Sequence, residues 1–435
     1  MKKNHIDRRD LCFVYFFGLV LFAVLASGVG EEIRSKEISM SGDENPELKS
    51  FDDAVIAFMK KRRVPGGALA VMKDGRLVYA RGYGWADVDA KESAHPTSLF
   101  RIASISKPIT GVAIMKLVED HRYRLKLDAK AFKLLDLEPY LENSAKMDKR
   151  LKEITVRQLL QHTGGFDREK SGDPMFMSEE IAKTLGKPSP AEPEDIIRYM
   201  MGKPLDFDPG TREAYSNFGY CVLGRVIEKV TGKCYEDYMR EEVLAPIGIT
   251  QMRMGRTLLD GRAKNEVRYY QPKLKSEQSV FAKLGDEKVP NPYGAWHLEA
   301  MDAHGGWIAS AVDLARFAAA LDRPGKNEIL SPQRAKIMYE RPRPPAGLDK
   351  NGKPRVAYYG LGWNVRPTKD GKANYWHAGS LPGTATLLVR RHDGLTWVVL
   401  FNQRSRSDGD IDSALHKAAD KVKKWPDGDL FARYK

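Results

Sequence analysis

The chain has 435 residues, which is too long for one small domain and favours two structural units. With 42% hydrophobic and 30% charged residues, its composition is typical of a globular protein and excludes a fibrous or wholly disordered chain. The formal charge of +13 is scattered, without a long basic run or interleaved aromatic residues, so nucleic-acid binding is not expected. Attraction to an anionic envelope surface is compatible with this charge.

The N-terminus has the layout of a secretory signal peptide over residues 1–28. Basic residues precede an apolar run over residues 11–26, and Ala26-Ser27-Gly28 offers small residues for cleavage. An uncleaved membrane anchor is the alternative, although the run is slightly short for a full span. We therefore expect an exported protein, periplasmic or secreted, with a polar, disordered lead-in over residues 29–47.

A helix and a hairpin are predicted next. Apolar residues at helical spacing predict a helix over residues 48–63, which ends before the helix-breaking Val64-Pro65-Gly66-Gly67. The apolar runs 68–72 and 76–81 flank Lys73-Asp74-Gly75, which is a strong hairpin signal.

The middle of the chain is predicted to be mostly helical. One helix begins at the cap Thr155 and ends before His162-Thr163-Gly164-Gly165, and another covers residues 218–230. Residues 166–194 are rich in Pro, Gly, Lys and Asp. They predict a long surface loop of the kind that often borders a functional site.

Strand signals return near the C-terminus. Apolar and aromatic runs predict strands over residues 358–365, 374–377, 385–390 and 395–401. The last two flank the hairpin signal His392-Asp393-Gly394, and a closing helix is predicted over residues 411–422.

Strands at both ends of the chain, with helices between them, argue for a single sheet. The predicted fold class is therefore α/β in the α+β sense, an antiparallel β-sheet flanked by helices with an inserted, mostly helical domain. The sheet is expected from about residues 48–105 and 300–425, the insertion from about 106–299, and a short tail from 426–435.

The most informative motif is Ser104-Ile105-Ser106-Lys107, at the predicted start of a buried helix. Residues three apart share one face of a helix, which would place Ser104 beside Lys107. A serine hydroxyl is a poor nucleophile at neutral pH, and an amine made neutral by burial can take its proton. Ser106 is excluded as the nucleophile because Lys107 follows it directly and points to another helical face.

Two further motifs contain groups suited to the same chemistry. Tyr215 can relay protons if neighbouring cations lower its pKa, and Asn217 can orient the lysine and donate to a substrate carbonyl. The third motif, His377-Ala378-Gly379-Ser380, lies on a predicted edge strand, where glycine allows close approach of the backbone to a ligand. The N–H groups of Ser104 and Ser380 are the expected oxyanion donors.

The order Ser-x-x-Lys, Tyr-x-Asn, His-x-Gly resembles the serine hydrolase family of class C β-lactamases, DD-peptidases, related esterases and D-amino-acid-specific peptidases. Further stretches resemble segments of the same family, namely residues 100–107, 154–165, 209–224 and 305–317. The resemblance covers the chain from about residue 48 onward and implies a β-lactamase/transpeptidase-like fold without a metal or other cofactor.

The resemblance also implies roles for the motif residues. Ser104 corresponds to the acylated nucleophile, Lys107 and Tyr215 to the groups that share general-base and general-acid work, and Asn217 to a substrate contact. His377 takes the place of a lysine that many penicillin-recognising members carry, and Gly379-Ser380 corresponds to the strand that lines the cleft.

The histidine at the third motif bears on the substrate. A neutral histidine in place of a lysine removes a permanent cation that would pair with a substrate carboxylate. This favours a small-molecule ester, or an amide such as a D-amino-acid peptide, over efficient penicillin hydrolysis. A β-lactamase proper and a catalytically silent, penicillin-binding-like sensor are the alternatives, and the oligomeric state is left open.

Several similar patterns are interpreted as structural. Lys170-Ser171-Gly172 matches a lysine form of the third motif, but it precedes Tyr215 and lies in the predicted loop. His162-x-Gly164 and His304-x-Gly306 also match His-x-Gly, and their histidines are expected to hold backbone rather than handle substrate.

A metal site and a disulfide are weaker possibilities. His297, Glu299, Asp302 and His304 fit no common zinc spacing, so a polar loop over the cleft is favoured and a metal-dependent hydrolase is kept as an alternative. Outside the leader, Cys221 lies in an apolar helical pattern and is expected to be a buried small residue. Its pairing with Cys234 in an oxidising compartment is left open.

Overall fold

The computed structural model describes residues 37–434 apart from 143–145, 272–275, 323–328 and 405–407. The predicted signal peptide and residues 29–36 of the predicted lead-in lie outside the described residues. Within the described ranges, no helix has both the length and the apolar character needed to span a membrane.

Strands occur at both ends of the chain and in short pieces between them. In chain order they are β1 (Met40–Gly42), β2 (Gly66–Lys73), β3 (Arg76–Asp87), β4 (Glu92–Ser93), β5 (Phe100–Arg101), β6 (Arg253–Met254), β7 (Ser276–Gln278), β8 (Lys288–Pro290), β9 (Trp307–Ala309), β10 (Tyr358–Tyr359), β11 (Asn364–Pro367), β12 (Ala373–Leu381), β13 (Thr384–Arg390) and β14 (Leu395–Phe401).

The α-helices lie mostly between these groups of strands. They are α1 (Lys49–Arg62), α2 (Ser106–Glu119), α3 (Ala131–Leu135), α4 (Val156–Leu160), α5 (Arg168–Ser171), α6 (Ser178–Thr184), α7 (Pro193–Met201), α8 (Asn217–Thr231), α9 (Tyr235–Tyr238), α10 (Asp302–Gly305), α11 (Ala311–Asp322), α12 (Pro332–Met338) and α13 (Asp408–Asp420). Two 3₁₀ turns, Ala103–Ile105 and Pro174–Phe176, matter for the site.

The large sheet joins the two ends of the chain. Its strands run in the order β1-β3-β2-β14-β13-β12-β11-β10, all antiparallel, and β4 pairs beside β3. The pairing of β2 with β14 sets Gly67 opposite Phe401 and Lys73 opposite Leu395. This confirms the predicted fold class and the prediction that strands from the two ends of the chain form one sheet, although β5 and β9 pair in a separate sheet with β6. The boundaries of the inserted helical region stay a prediction.

Helices cover both faces of the sheet. On one face, α1 and α13 pack together, and apolar residues such as Val55 and Leu415 are buried with Trp397 of β14. On the other face, α11 contacts β2 and β14, while α2 packs against α8 and α10. Because both faces are covered, β13 and β14 are buried along their whole length.

Most predicted elements are confirmed as α1, the β2–β3 hairpin, α4, α8, the β13–β14 hairpin and α13. The predicted cap of α4 is a capping box. Thr155 Oγ1 accepts the N–H of Gln158 at 3.2 Å, and Gln158 Oε1 accepts the N–H of Thr155 at 2.8 Å.

The single strand predicted over residues 358–365 was wrong. Two short strands, β10 and β11, pair with each other around a turn in which Gly362 has a φ of +97°. A Cβ at Gly362 would lie 3.0 Å from the carbonyl oxygen of Lys107. The turn therefore packs directly on the start of α2.

The predicted disordered lead-in was wrong for residues 40–42, which form β1 on the edge of β3. Ser41 Oγ donates to the carbonyl oxygen of Ala94 at 2.7 Å, and this bond ties the strand down. Backbone pairing holds this segment although its composition is polar.

The surface loop predicted over residues 166–194 was wrong in part, because it contains α5, α6 and the turn Pro174–Phe176. Asp167 and Asp173 accept the N–H groups of Glu169 and Met175, at 3.1 and 3.2 Å. Aspartate favours helix caps as well as loops, so the same composition fits short capped turns.

Candidate active site

Ser104 lies in the turn that connects β5 to α2. β5 pairs with β9, residues 103–105 form the 3₁₀ turn, and α2 begins only at Ser106. The nucleophile candidate therefore precedes the helix instead of lying in its first turn as predicted. A 3₁₀ turn still brings residues three apart onto one side, so Ser104 reaches Lys107.

The turn before Ser104 is held in an unusual backbone conformation. Ala103 has a φ of +49°, a region that costs a non-glycine residue roughly 1–2 kcal/mol. A Cβ at Gly379 of β12 would lie 2.2 Å from the carbonyl oxygen of Ile102, an oxygen that also accepts Thr386 Oγ1 at 2.9 Å. The backbones of β12 and the turn are therefore in direct contact, and only glycine fits between them.

Lys107 is a buried amine with three polar partners. Its Nζ lies 3.1 Å from Ser104 Oγ, 2.8 Å from Asn217 Oδ1 and 2.9 Å from the carbonyl oxygen of His304. Burial lowers the pKa of Lys107 well below its ordinary value. The amide and carbonyl oxygens can only accept, so they take two N–H groups of the amine. When the amine is neutral, its lone pair is left for the hydroxyl of Ser104, as a general base requires.

Asn217 connects Lys107 to a residue that the sequence motifs did not indicate. It begins α8, where Ser216 Oγ caps the helix by accepting the N–H of Gly219 at 3.1 Å. Asn217 Nδ2 donates to Asp173 Oδ2 at 2.6 Å. The Asp173-Pro174 pair signals a helix cap, but nothing in the sequence relates it to Asn217.

Tyr215 lies on the other side of the amine. Its ring centroid is 4.8 Å from Lys107 Nζ and 4.7 Å from Arg168 Cζ, and its hydroxyl is hydrogen-bonded to Ser104. Burial raises the pKa of Tyr215, while the Ser104 hydrogen bond and the Arg168 charge act in the opposite direction. Desolvation outweighs the nearby cation, so the condition set for proton relay, a pKa lowered by neighbouring cations, is not met. The phenol keeps its proton and can donate it.

His162 supports Tyr215 from behind. The two ring centroids are 4.3 Å apart, and His162 Nδ1 accepts the N–H of Ser216 at 3.2 Å. Burial, followed by the charge of Lys107, lowers the pKa of His162 well below its ordinary value. This confirms that His162 holds backbone. The backbone carbonyl oxygen of His304 accepts a hydrogen bond from Lys107 Nζ, and His304 also lines the cavity.

His377 does not line the cavity. Its side chain is on β12 with 2% exposure, and Nδ1 lies 2.8 Å from the carbonyl oxygen of Ala378, which can only accept. Nδ1 therefore carries the proton, and Nε2 accepts the hydroxyl of Tyr359 at 2.8 Å. Burial and then the charge of Lys107 lower the pKa of His377 to about 3. The imidazole is neutral, and both of its nitrogens already have hydrogen-bond partners. The structure therefore does not place this ring against a substrate.

A cavity of about 370 Å³ opens beside Ser104. Its lining combines polar motif residues, two guanidinium groups and several apolar side chains, including Ser104, Asn217, Ser380, Arg168, Arg404, Phe176, Trp296 and Leu381. A larger cleft of about 740 Å³, beside Glu92 and Arg262, contains none of the three motifs. The smaller cavity is therefore the candidate active site.

Ser380 lies where β12 faces the nucleophile turn. In the described chain, β11 pairs with β12 only as far as Trp376, so residues 377–381 have no strand beyond them on that side. Arg404 Nε donates to Ser380 Oγ at 3.0 Å. Arg404 thus supplies a cation that the third motif lacks, and the sequence reasoning missed it because it lies outside every motif.

In the segment 297–304, His297 Nε2 lies 3.8 Å from Glu299 Oε2, and the other contacts of the acidic and histidine residues lead elsewhere. His297 Nδ1 lies 3.3 Å from the carbonyl oxygen of Ala191, and Asp302 pairs with Arg225. Across the described ranges, no three metal-ligating side chains converge. The metal-dependent alternative is therefore not supported. Cys221 and Cys234 are both free, with Cys221 buried, as predicted, and Cys234 exposed.

The chain is similar to a known family along most of its length. The model of the Beta-lactamase family matches residues 51–421. Protein flp of Staphylococcus aureus (strain N315) is 28% identical over 362 residues, which cover 83% of this chain and 64% of that protein. The chain thus spans slightly less than two thirds of this relative.

Solved structures show the same fold. The octameric penicillin-binding protein homologue from Pyrococcus abyssi has a TM-score of 0.63 at 26% identity, covering 87% of this chain and 79% of that one. The D-amino acid amidase from Ochrobactrum anthropi SV3, complexed with D-phenylalanine, has a TM-score of 0.64 at 21% identity, covering 87% and 99%. The family match confirms the resemblance seen in the sequence, and the chain belongs to the Beta-lactamase family, whose members are generally serine hydrolases.

Proposed function

We propose that this protein is an exported serine hydrolase that cleaves an ester or amide bond through an acyl-enzyme on Ser104. The observation that carries the proposal is the environment of Lys107. Two acceptor oxygens engage N–H groups of this buried amine, whose Nζ lies 3.1 Å from Ser104 Oγ. In the neutral form of the amine, the lone pair is therefore left for the Ser104 hydroxyl.

Acylation begins when Lys107 takes the Ser104 proton and Oγ attacks the substrate carbonyl carbon. The carbonyl π electrons move to oxygen, and the N–H groups of Ser104 and Ser380 are the proposed donors to this oxyanion. When the tetrahedral intermediate collapses, Tyr215 donates its proton to the leaving alkoxide or amine and regains one from Lys107. The leaving group departs and Ser104 stays acylated.

Deacylation reverses these proton transfers with water in place of the leaving group. Water attacks the acyl carbonyl carbon while Lys107 accepts its proton. Collapse of the second intermediate breaks the bond to Ser104 Oγ, which recovers a proton from Lys107. The released products are a carboxylic acid and the free enzyme.

The lining of the cavity supports a substrate with both an apolar and an anionic part. Phe176 and Trp296, whose rings are 6.2 Å apart, offer an apolar wall, while Arg168 and Arg404 offer positive charge. A peptide that ends in a D-amino acid fits this description, because its C-terminal carboxylate is anionic and its side chain can be apolar. The fold neighbour complexed with D-phenylalanine is a D-amino acid amidase.

β-Lactam hydrolysis is the second candidate, and Arg404 is the observation that favours it. His377 is neutral and buried, so the third motif provides no cation for a β-lactam carboxylate. Arg404 provides one beside Ser380 from the loop after β14. A cation that could pair with a β-lactam carboxylate is therefore present although His377 replaces the lysine. Ester or amide cleavage is still the proposed activity.

The reaction is tested by steady-state hydrolysis of a short p-nitrophenyl ester, a D-Ala-D-Ala peptide and nitrocefin. We expect turnover of the ester or the peptide to exceed that of nitrocefin, and Ser104→Ala to abolish it. Ser106→Ala is the matched control, because Ser106 is buried two residues away and should leave turnover intact. Faster turnover of nitrocefin would identify a β-lactamase, and no turnover of any substrate would leave only a sensor.

Export is supported by the charge and apolar pattern of residues 1–28. The full chain, produced in a bacterial host, is expected in the periplasm or medium with a new N-terminus close to Gly28. Retention in the membrane with an intact N-terminus would instead identify an anchored protein.

A further inference from the structure

Asp173 stands outside the three motifs but reaches the active site. It is half-buried and lies between α5 and the turn Pro174–Phe176. Its Oδ1 accepts the N–H of Met175 at 3.2 Å, and its Oδ2 accepts Asn217 Nδ2 at 2.6 Å. One carboxylate oxygen therefore holds the local turn while the other holds a motif residue.

The contact with Asp173 determines which end of the Asn217 amide faces Lys107. An ionised carboxylate only accepts hydrogen bonds, so Nδ2 must point toward Asp173. Oδ1 then points toward Lys107 Nζ at 2.8 Å and accepts its N–H. A flipped amide would set donor against donor at Lys107 and acceptor against acceptor at Asp173.

We infer that Asp173 is a positioning residue for Lys107, an inference that rests on the proposed function. Through Asn217 it fixes the orientation that leaves the Lys107 lone pair toward Ser104. Its negative charge also stabilises the ammonium that forms when Lys107 takes the Ser104 proton.

The other groups around Lys107 come from several elements and do not duplicate this charge. They are Ser104, His162, Arg168, Tyr215, Tyr220, His304 and His377. Burial lowers the pKa of Lys107, the charge of Asp173 raises it, and the charge of Arg168 lowers it. Among the described residues, Asp173 is the carboxylate that acts on this amine.

Two substitutions separate the charge of Asp173 from its hydrogen bond. Asp173→Asn removes the charge and keeps one oxygen that can accept Asn217 Nδ2, while its amide nitrogen replaces the oxygen that accepts the N–H of Met175. Asp173→Ala removes the charge and both acceptors. Asp167→Asn and Asp167→Ala are the matched controls. Asp167 caps α5 in the same segment and pairs with Arg212, without a contact to Asn217.

The readout is the rate at which a fluorophosphonate labels Ser104 as a function of pH, because labelling needs the base but no substrate turnover. Loss of the Asp173 charge lowers the pKa of Lys107, so Asp173→Asn should move the acid limb of the profile to lower pH. Asp173→Ala should also reduce the plateau rate on the order of 100-fold, because the Asn217 amide is no longer held. Neither Asp167 variant should move the acid limb or reduce the plateau rate on this scale, because Asp167 does not hold the Asn217 amide.

Identical profiles for wild type and both Asp173 variants, in samples that unfold cooperatively on heating, would overturn the positioning role. If Asp173→Ala does not fold, Asp173→Asn alone decides through the shift of the acid limb. The proposed function fails in a different way, when Ser104 is labelled but no ester, amide or β-lactam is turned over. The pH profile of labelling still tests Asp173 in that case.

Discussion

The nucleophile turn and the segment over residues 167–177 reach the same cavity by different physical means. Backbone packing holds the turn, because Gly379 and Gly362 leave no room for a side chain against Ile102 and Lys107. Side-chain caps hold the segment, through Asp167 and Asp173. The nucleophile turn, which carries the candidate nucleophile, is thus held by backbone packing against the core. The segment over residues 167–177, whose charged groups shift the pKa of Lys107, is held by side-chain caps.

This contrast predicts unequal responses to substitution. Substitutions at the glycines that contact the nucleophile turn should remove activity, because a side chain there would force the packed backbones apart. Changes in the capped segment should shift pH dependence and specificity while the fold persists.

The largest effect is expected from Lys107→Met, which keeps the volume of the side chain but removes the base. Hydrolysis should fall by about 10²- to 10⁴-fold, the range typical of a lost general base. Lys116→Met, on the last turn of the same helix, is the matched control and should retain activity. Full activity of a folded Lys107→Met protein would exclude the amine as the base.

Gly379→Ala should produce the next largest effect. The new Cβ would lie 2.2 Å from the carbonyl oxygen of Ile102, so β12 and the nucleophile turn must separate. We expect a loss of stability of about 1–3 kcal/mol in denaturant unfolding, together with a loss of hydrolysis. Gly409→Ala is the control, because a Cβ there meets nothing within 4 Å. Equal unfolding free energies and equal hydrolysis rates for the two variants would show that the close contact at Gly379 is not needed.

Buried neutral histidines predict an acid-sensitive fold. The pKa of His377 is lowered to about 3 in the folded chain, against about 6.5 when unfolded. Between these values only the unfolded chain binds the proton, so stability is complete above about pH 6.5 and falls as the pH drops.

The expected slope from His377 alone is about 1.4 kcal/mol per pH unit below pH 6.5. His377→Gln should flatten the dependence of unfolding free energy on pH, measured in denaturant from pH 7.5 to 4.5. His121→Gln, on an exposed turn, should not. An equally steep slope in both variants would show that His377 titrates normally.

The smallest effect is expected from Arg168→Gln, in the capped segment. The charge of Arg168 lowers the pKa of Lys107, so its removal should move the acid limb of the labelling profile to higher pH, opposite to Asp173→Asn. Arg212→Gln is the control, because Arg212 pairs with Asp167 away from the amine. A shift in the same direction for the Arg168 and Asp173 variants would contradict an electrostatic cause.

The sequence predicted the buried strands, helices and nucleophile turn better than the capped segment over residues 167–177. Alternating and helical apolar patterns report burial directly, which is why β2, β13, β14, α1 and α8 were predicted with nearly correct bounds. Ser104, Lys107, Tyr215 and Asn217 formed motifs at fixed spacing, and the structure brings all four together.

Residues whose role depends on long-range contacts were missed or misplaced. Asp173 and Arg404 lie outside the motifs, and only the fold sets them beside Asn217 and Ser380. Proton relay by Tyr215 was made conditional on cations lowering its pKa, and burial, which the sequence does not show, raises that pKa instead. His377 was expected at the cleft, whereas its hydrogen bond to Tyr359 turns it inward.

Mapping a covalent adduct tests the central claim most directly. After reaction of the whole chain with a fluorophosphonate, mass spectrometry should find one adduct per chain, on the peptide that contains Ser104. Ser104→Ala should carry none, and Lys107→Met should react far more slowly. An adduct on another residue, or unchanged labelling of a folded Ser104→Ala protein, would contradict a Ser104 nucleophile activated by Lys107.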